Sequence, residues 1–165
     1  MDFLEKDLEE IIYTSSREQL EKKGLYITGK LYRQLRIGNY GIADLVSMDR
    51  SKHPALKKID PILTITIYEL KKDNIGISAF LQAIGYMKGI KRYLEKRNFS
   101  FDVEFEIVLI GNKLDTRSTF SYLSDLIPCN FYFATDFLRC YTYSYSIDGI
   151  EFNYEDDYKL KDEGF

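Results

Sequence analysis

Tryptophan is absent from these 165 residues, while histidine occurs once, cysteine twice and proline three times. The single histidine, His53, stands beside Pro54 in a polar stretch and reads as a loop residue. Chemistry built on paired His ligands or a His base is therefore not expected. Cys129 and Cys140 have neither CxxC spacing nor a neighbouring His, so they read as free thiols in a reducing compartment. A cytoplasmic location follows as an expectation. No uncharged run approaches the roughly 20 residues that cross a bilayer, and no membrane partner is expected. The opening MDFLEKDLEE is acidic, without a basic segment leading into an apolar one, which argues against a signal peptide. Neither GxxxxGKS/T nor GxGxxG occurs, which disfavours a nucleotide enzyme built on a Gly-rich loop. Internal repeats and low-complexity linkers are missing as well.

What is present is an ordinary globular composition, 45% hydrophobic and 30% charged, in a chain long enough for one domain with a real core. The formal charge of -3 is unevenly placed. From Asp148 onward lie seven of the 26 Asp/Glu and two of the 23 Lys/Arg, which leaves residues 1–147 with 19 acids against 21 bases. The expected organisation is thus a domain over 1–147, then an edge strand and acidic tail over 148–165. The mildly basic body permits a nucleic-acid partner without demonstrating one. The tail reads as a solubilising terminus.

Leu4, Leu8 and Ile11 recur at helical spacing and predict an amphipathic first helix over 2–13. Ser15 or Ser16 can cap a second, short helix ending near Gly24. Tyr32–Ile37 predicts a strand, Gly38-Asn39 a hairpin turn and Tyr40–Met48 the returning partner. Ile62–Lys71 is the most strand-like segment, closed by a turn at Asp73-Asn74. Residues 76–97 predict the clearest helix, with Phe80, Ile84, Met87 and Leu94 as its apolar stripe. Asp102–Gly111 predicts another strand and Ser118–Leu126 a short helix. NFYFA, RCYTYSYS and GIEFNY predict three more strands, the last at an edge. The order ααβββαβαβββ points to an α/β or α+β fold, a central mixed sheet flanked by helices.

In GIADLV, Asp44 shares a face with Ile42 and Val46, because strand side chains alternate with a period of two. Glu69 and Lys71 share a face by the same arithmetic, with Ile65 and Ile67 behind them. Two carboxylates and an ammonium thus extend apolar faces of strands that can be neighbours. Burying an unpaired charge is costly, so such a cluster persists only if its members compensate each other or bind something. A hard divalent cation is one answer, since Mg²⁺ takes oxygen ligands, usually one or two carboxylates plus water and phosphate. A neighbouring lysine can orient or deprotonate a water and offset phosphate charge. The plainer alternatives are an exposed Glu69–Lys71 ion pair of little worth and Asp44 as a turn residue.

GIADLV followed 25 residues later by ELK resembles the PD-(D/E)XK nuclease superfamily, with its Asp and its acidic-x-Lys on adjacent strands. QAIGY in the following helix is similar to the Gln-xxx-Tyr element of RecB-like members, and LEKDLEEII to the first helix of NucS-type and RecB-type nuclease domains. Ala43 stands where the superfamily often has proline before the Asp. The resemblance covers residues 1 to about 140 and implies a restriction-endonuclease-like core. It further implies a Mg²⁺- or Mn²⁺-dependent nuclease acting on DNA, single-stranded, flapped or duplex, with a homodimer as one arrangement. Asp44 and Glu69 would hold the metal with the Leu70 carbonyl, and Lys71 would position the hydrolytic water. Glu5 would add a carboxylate from the first helix, with Glu9 as its alternative. Gln82 and Tyr86, one turn apart, would lie over the site. A catalytically inactive DNA-binding or protein-interaction module on the same fold is the competing expectation.

Lys88, Lys91, Arg92, Lys96 and Arg97 gather at one helix end and read equally as a solvated face or a phosphate track. Gly85 and Gly89 inside the same helix suggest close packing on the sheet. Tyr141, Tyr143 and Tyr145 line one strand face, where packing is the stronger reading and base stacking the weaker.

Overall fold

A leucine at position 4 offers no side-chain cap, so the first helix is started differently: the Leu4 N–H donates to Asp7 Oδ2 at 2.8 Å. This helix, α1 (Glu5–Thr14), buries Leu8, Glu9 and Ile12. Ser16 then caps α2 (Arg17–Lys22) reciprocally, its Oγ accepting from the Gln19 N–H and its own N–H donating to Gln19 Oε1. The helix ends as its glycine predicts. Gly24 takes φ +94°, and the Leu25 N–H donates back to the Leu20 carbonyl at 2.9 Å, with both leucines buried.

The computed structural model describes residues 3–50, 62–99, 102–115, 129–130 and 135–155. The expected His53 loop, the Ser118–Leu126 helix, most of NFYFA and the tail beyond 155 lie outside the described residues. After α2 come β1 (Lys30–Arg36), a 3-10 turn at Gly38–Tyr40, β2 (Ile42–Asp49) and β3 (Ile62–Leu70). The short β4 (Asn74–Ile75) precedes α3 (Ile77–Lys96), β5 (Asp102–Gly111) and the short β6 (Lys113–Leu114). Two-residue strands β7 (Cys129–Asn130) and β8 (Thr135–Asp136) lead to β9 (Leu138–Ser146) and β10 (Gly149–Glu155).

Six strands form one sheet in the order β1-β2-β3-β5-β9-β10. The flanking pairs β1/β2, β2/β3 and β9/β10 are antiparallel, whereas β3/β5 and β5/β9 are parallel. The fold is therefore mixed α/β. A parallel pair needs a crossover, and α3 supplies it between β3 and β5. The central strands are covered on both faces, which is why β3 is buried along nearly its whole length, Thr64, Thr66 and Glu69 included. One core joins α3 to Val46, Ile65, Ile67, Ile107 and Leu109, and the other joins α1 and α2 to Leu45, Tyr68, Val108 and Ile110. β10 lies at one edge of this sheet, as expected, and β1 at the other. No helix among the described residues is long and apolar enough to cross a membrane.

One expectation is refined, since the expected α3 stripe does pack on the α3-side core, and one is corrected. The face that α3 buries runs through Ala79, Ala83, Tyr86 and Ile90 together with Phe80, while Ile84, Met87 and Leu94 are only partly buried. Small residues let the helix approach the sheet, and the bulkier aliphatic side chains close its flank. Of the two helix glycines only Gly89 marks a close approach: a Cβ there would stand 2.6 Å from Ile37 Cγ2 and 2.7 Å from the Tyr40 ring, while one at Gly85 would meet nothing within 4 Å. Gly89 packs on the hairpin turn rather than on the sheet itself.

Candidate functional site

β2 and β3 pair from Asp49↔Thr64 to Leu45↔Tyr68. One further step of that antiparallel register places Asp44 across from Glu69, where opposed side chains share a face. Both lie on the α3 side, in line with Val46 and Ile67. At this end of the sheet Asp44 Oδ2 accepts the Leu70 N–H at 3.0 Å. Leu70 thus enters the site through its amide, which orients Asp44.

Glu69 is 1% exposed. Its Oε1 meets Lys71 Nζ at 2.8 Å, while its Oε2 is one of two buried side-chain polar atoms without a hydrogen-bond partner among the described residues, the other being Thr64 Oγ1. The exposed ion pair weighed from sequence does not describe a carboxylate this deep. Lys71 is the first residue past β3, yet its N–H still bonds to the Ile110 carbonyl at 2.8 Å and keeps it in line with the sheet. Its ammonium donates to Gln82 Oε1 at 3.1 Å, and Gln82 Nε2 donates to the Tyr86 hydroxyl at 2.8 Å. Glu69, Lys71, Gln82 and Tyr86 therefore form one hydrogen-bonded line from strand end to helix α3.

Burial pushes the Glu69 carboxyl up to about 7; the Lys71 contact opposes this, and the charges of Asp44 and Glu5 add to it. Asp44 is also raised, chiefly by burial, against the stabilising bond from the Leu70 N–H. Burial works to lower Lys71, but its bond to Glu69 and the charges of Glu69, Glu5 and Asp44 lift it overall. Lys71 accordingly stays an ammonium. Tyr86 is raised by burial, opposed by its bond to Gln82.

The first helix delivers its two carboxylates differently. Glu5 is exposed in the first turn of α1, and its charge acts on Asp44, Glu69 and Lys71. Glu9 is buried, and both of its oxygens are engaged: Arg33 Nε donates to Oε1 at 2.9 Å, and Gln34 Nε2 donates to Oε2. Sequence reasoning missed Arg33 and Gln34. Gln34 stands opposite Asp44 in the β1/β2 register and takes φ +49°, a left-handed conformation that suspends strand alternation. Nothing in a strand of ordinary composition signals such a residue.

Other candidates fall outside this group. Lys88, Lys91, Arg92 and Lys96 are exposed, Arg92 donates to the Tyr40 hydroxyl at 2.8 Å, and the Arg97 guanidinium lies 5.2 Å from the Tyr93 ring centre. A hollow of about 1070 Å³ beside α3 is lined by Arg92 and Lys96 but by none of Asp44, Glu69, Lys71 or Gln82. Tyr141 and Tyr143 are buried in the α1-side core, as the packing reading requires, whereas Tyr145 is exposed. Cys140 is wholly buried in the α3-side core.

Among the described residues no group of three or more His, Cys, Asp and Glu side chains is placed to hold a metal ion. The acidic donors here are a pair, which suits a cation that keeps several waters and takes one or two carboxylates. Glu69 Oε2, without a hydrogen-bond partner among the described residues and within reach of the Asp44 charge, fits such an ion. Fold and site together define a class: a mixed α/β domain with a carboxylate–ammonium cluster at the ends of its central strands. No protein-family model matches the chain, and no curated protein or solved structure gives a significant match.

Proposed function

We propose that the chain is a metal-dependent nuclease of the PD-(D/E)XK type, on a restriction-endonuclease-like core, hydrolysing phosphodiester bonds in DNA. The observation that carries this reading is the buried Glu69, with one oxygen on Lys71, the other without a partner among the described residues, and Asp44 one register step beyond the last β2/β3 pair. Mg²⁺ or Mn²⁺, when bound, supplies positive charge to the scissile phosphate and a more acidic water. Asp44, Glu69 and the Leu70 carbonyl are its proposed ligands, and Glu5 adds negative charge from the rim. Lys71, kept protonated between Glu69 and Gln82, orients the attacking water and offsets charge on the phosphoryl oxygens. Gln82 and Tyr86 hold that lysine in line and present a hydroxyl towards the same space. The water oxygen bonds to phosphorus as one ester P–O bond breaks, and the leaving oxygen takes a proton.

The test is cleavage of single-stranded, duplex and flapped DNA with Mg²⁺, with Mn²⁺ and with EDTA. Metal-dependent cleavage that Asp44→Asn abolishes is the expected result. Absence of cleavage, or cleavage that survives both EDTA and Asp44→Asn, overturns the reading. DNA binding without cleavage in any metal would leave the inactive module.

A further inference from the structure

The β9–β10 hairpin outruns the rest of the sheet. Pairing of β9 with β5 stops at Gly111↔Thr142, while pairing with β10 continues to Ser146↔Gly149. Four residues at roughly 3.3 Å each carry the ribbon about 13 Å beyond β5. It projects from the sheet end that holds Glu69 and Lys71, two strands away from them, because β3, β5 and β9 run parallel.

The root of this ribbon is tied to the site. The Tyr143 hydroxyl donates to the Lys72 carbonyl at 2.8 Å, one residue beyond Lys71, and the charge of Glu5 acts on that hydroxyl. Phe3, two residues before Glu5, packs against Tyr143 with ring centres 5.4 Å apart and stacks on Tyr145 at 5.0 Å and 27°. Tyr145 nevertheless remains 60% exposed, and Ile147 at the hairpin tip is wholly exposed. These rings line the α1-side face of the ribbon, the sheet face opposite Glu69, and open to solvent at the same sheet end as the carboxylate cluster.

We infer that Tyr145, backed by Phe3, is a stacking platform for an unpaired base of single-stranded DNA whose backbone crosses the sheet end to reach the Asp44–Glu69 site on the other face. The inference rests on the proposed nuclease reading and narrows its substrate to single strands or frayed ends. A base inside a duplex has both faces covered and offers none to Tyr145. An unstacked base offers one whatever its sequence. Tyr145 is a substrate-positioning residue here; it does no chemistry.

The absence of native tryptophan provides a clean probe. In Asp44→Asn/Tyr145→Trp protein, a single indole reports stacking without cleavage. A 12-residue oligothymidylate should quench its fluorescence, and a blunt duplex of equal length should not. In the active protein Tyr145→Ala should raise KM for the single strand roughly tenfold at unchanged kcat, the loss of about one base stack, and Tyr145→Phe should restore it. No quenching, or equal quenching by duplex, overturns the platform. Quenching in a protein whose parent never cuts DNA supports the platform and sinks the nuclease reading. Metal-dependent cutting without quenching does the reverse.

Discussion

Burial, with the charge of Asp44 adding to it, lets a carboxyl group that is 1% exposed hold its proton to about neutrality, against an ordinary value near 4.5. The sign for stability follows directly. Between about 4.5 and 7 the folded chain keeps a proton on Glu69 that the unfolded chain has released. This contribution is fully present below 4.5 and is lost as pH rises through 7; its size is on the order of 3 kcal/mol. Denaturant unfolding in EDTA should therefore give lower stability at pH 8 than at pH 5, and Glu69→Gln should remove most of the difference. An equal difference in the variant would mean that Glu69 is not the group retaining the proton. A divalent cation competes for the same oxygens, so added Mg²⁺ should lessen the loss in the native sequence.

Helix α3 and strand β1 bear on the site through backbone features that composition alone does not decide. Gly89→Ala would put a methyl 2.6 Å from Ile37 and 2.7 Å from Tyr40, and overpacking of that kind costs about 1–3 kcal/mol. Gly85→Ala meets nothing within 4 Å and should gain up to about 1 kcal/mol of helix propensity. Thermal unfolding of the two variants should thus shift in opposite directions; a shared direction would contradict the packing of α3 on the hairpin turn. In β1 the strain at Gln34 is held by its bond to buried Glu9. Gln34→Ala keeps the strained φ and loses that bond, at a cost of about 1–2 kcal/mol. Gln34→Gly loses the bond but relieves the strain, so it should unfold at higher denaturant than the alanine variant. The reverse order would remove the case for strain.

Over the whole molecule, those features were legible whose cause is local. The Ser16 cap, the Gly24 helix end and the bounds of β5 follow from neighbouring residues, and the alternation of two put Asp44 on the face of Val46 and Glu69 on the face of Lys71. Strand order was not legible, because which strands adjoin is settled by α3 crossing between β3 and β5. The Glu9 contacts were hidden by the left-handed Gln34, and the burial of Glu69 by the cover that tertiary packing gives its strand end. The same arrangement makes a prediction for the intact domain. If Asp44 and Glu69 form one cation site, the folded chain binds Mg²⁺ and the unfolded chain does not. At tenfold excess over Kd this adds about 1.4 kcal/mol, which for a domain of this size raises Tm by roughly 3–5 °C. Asp44→Asn should lose that rise while keeping the fold, as far-UV circular dichroism can check. A native Tm indifferent to Mg²⁺ and to Mn²⁺ would mean that the Glu69 oxygen without a partner among the described residues is kept for some other reason than a metal.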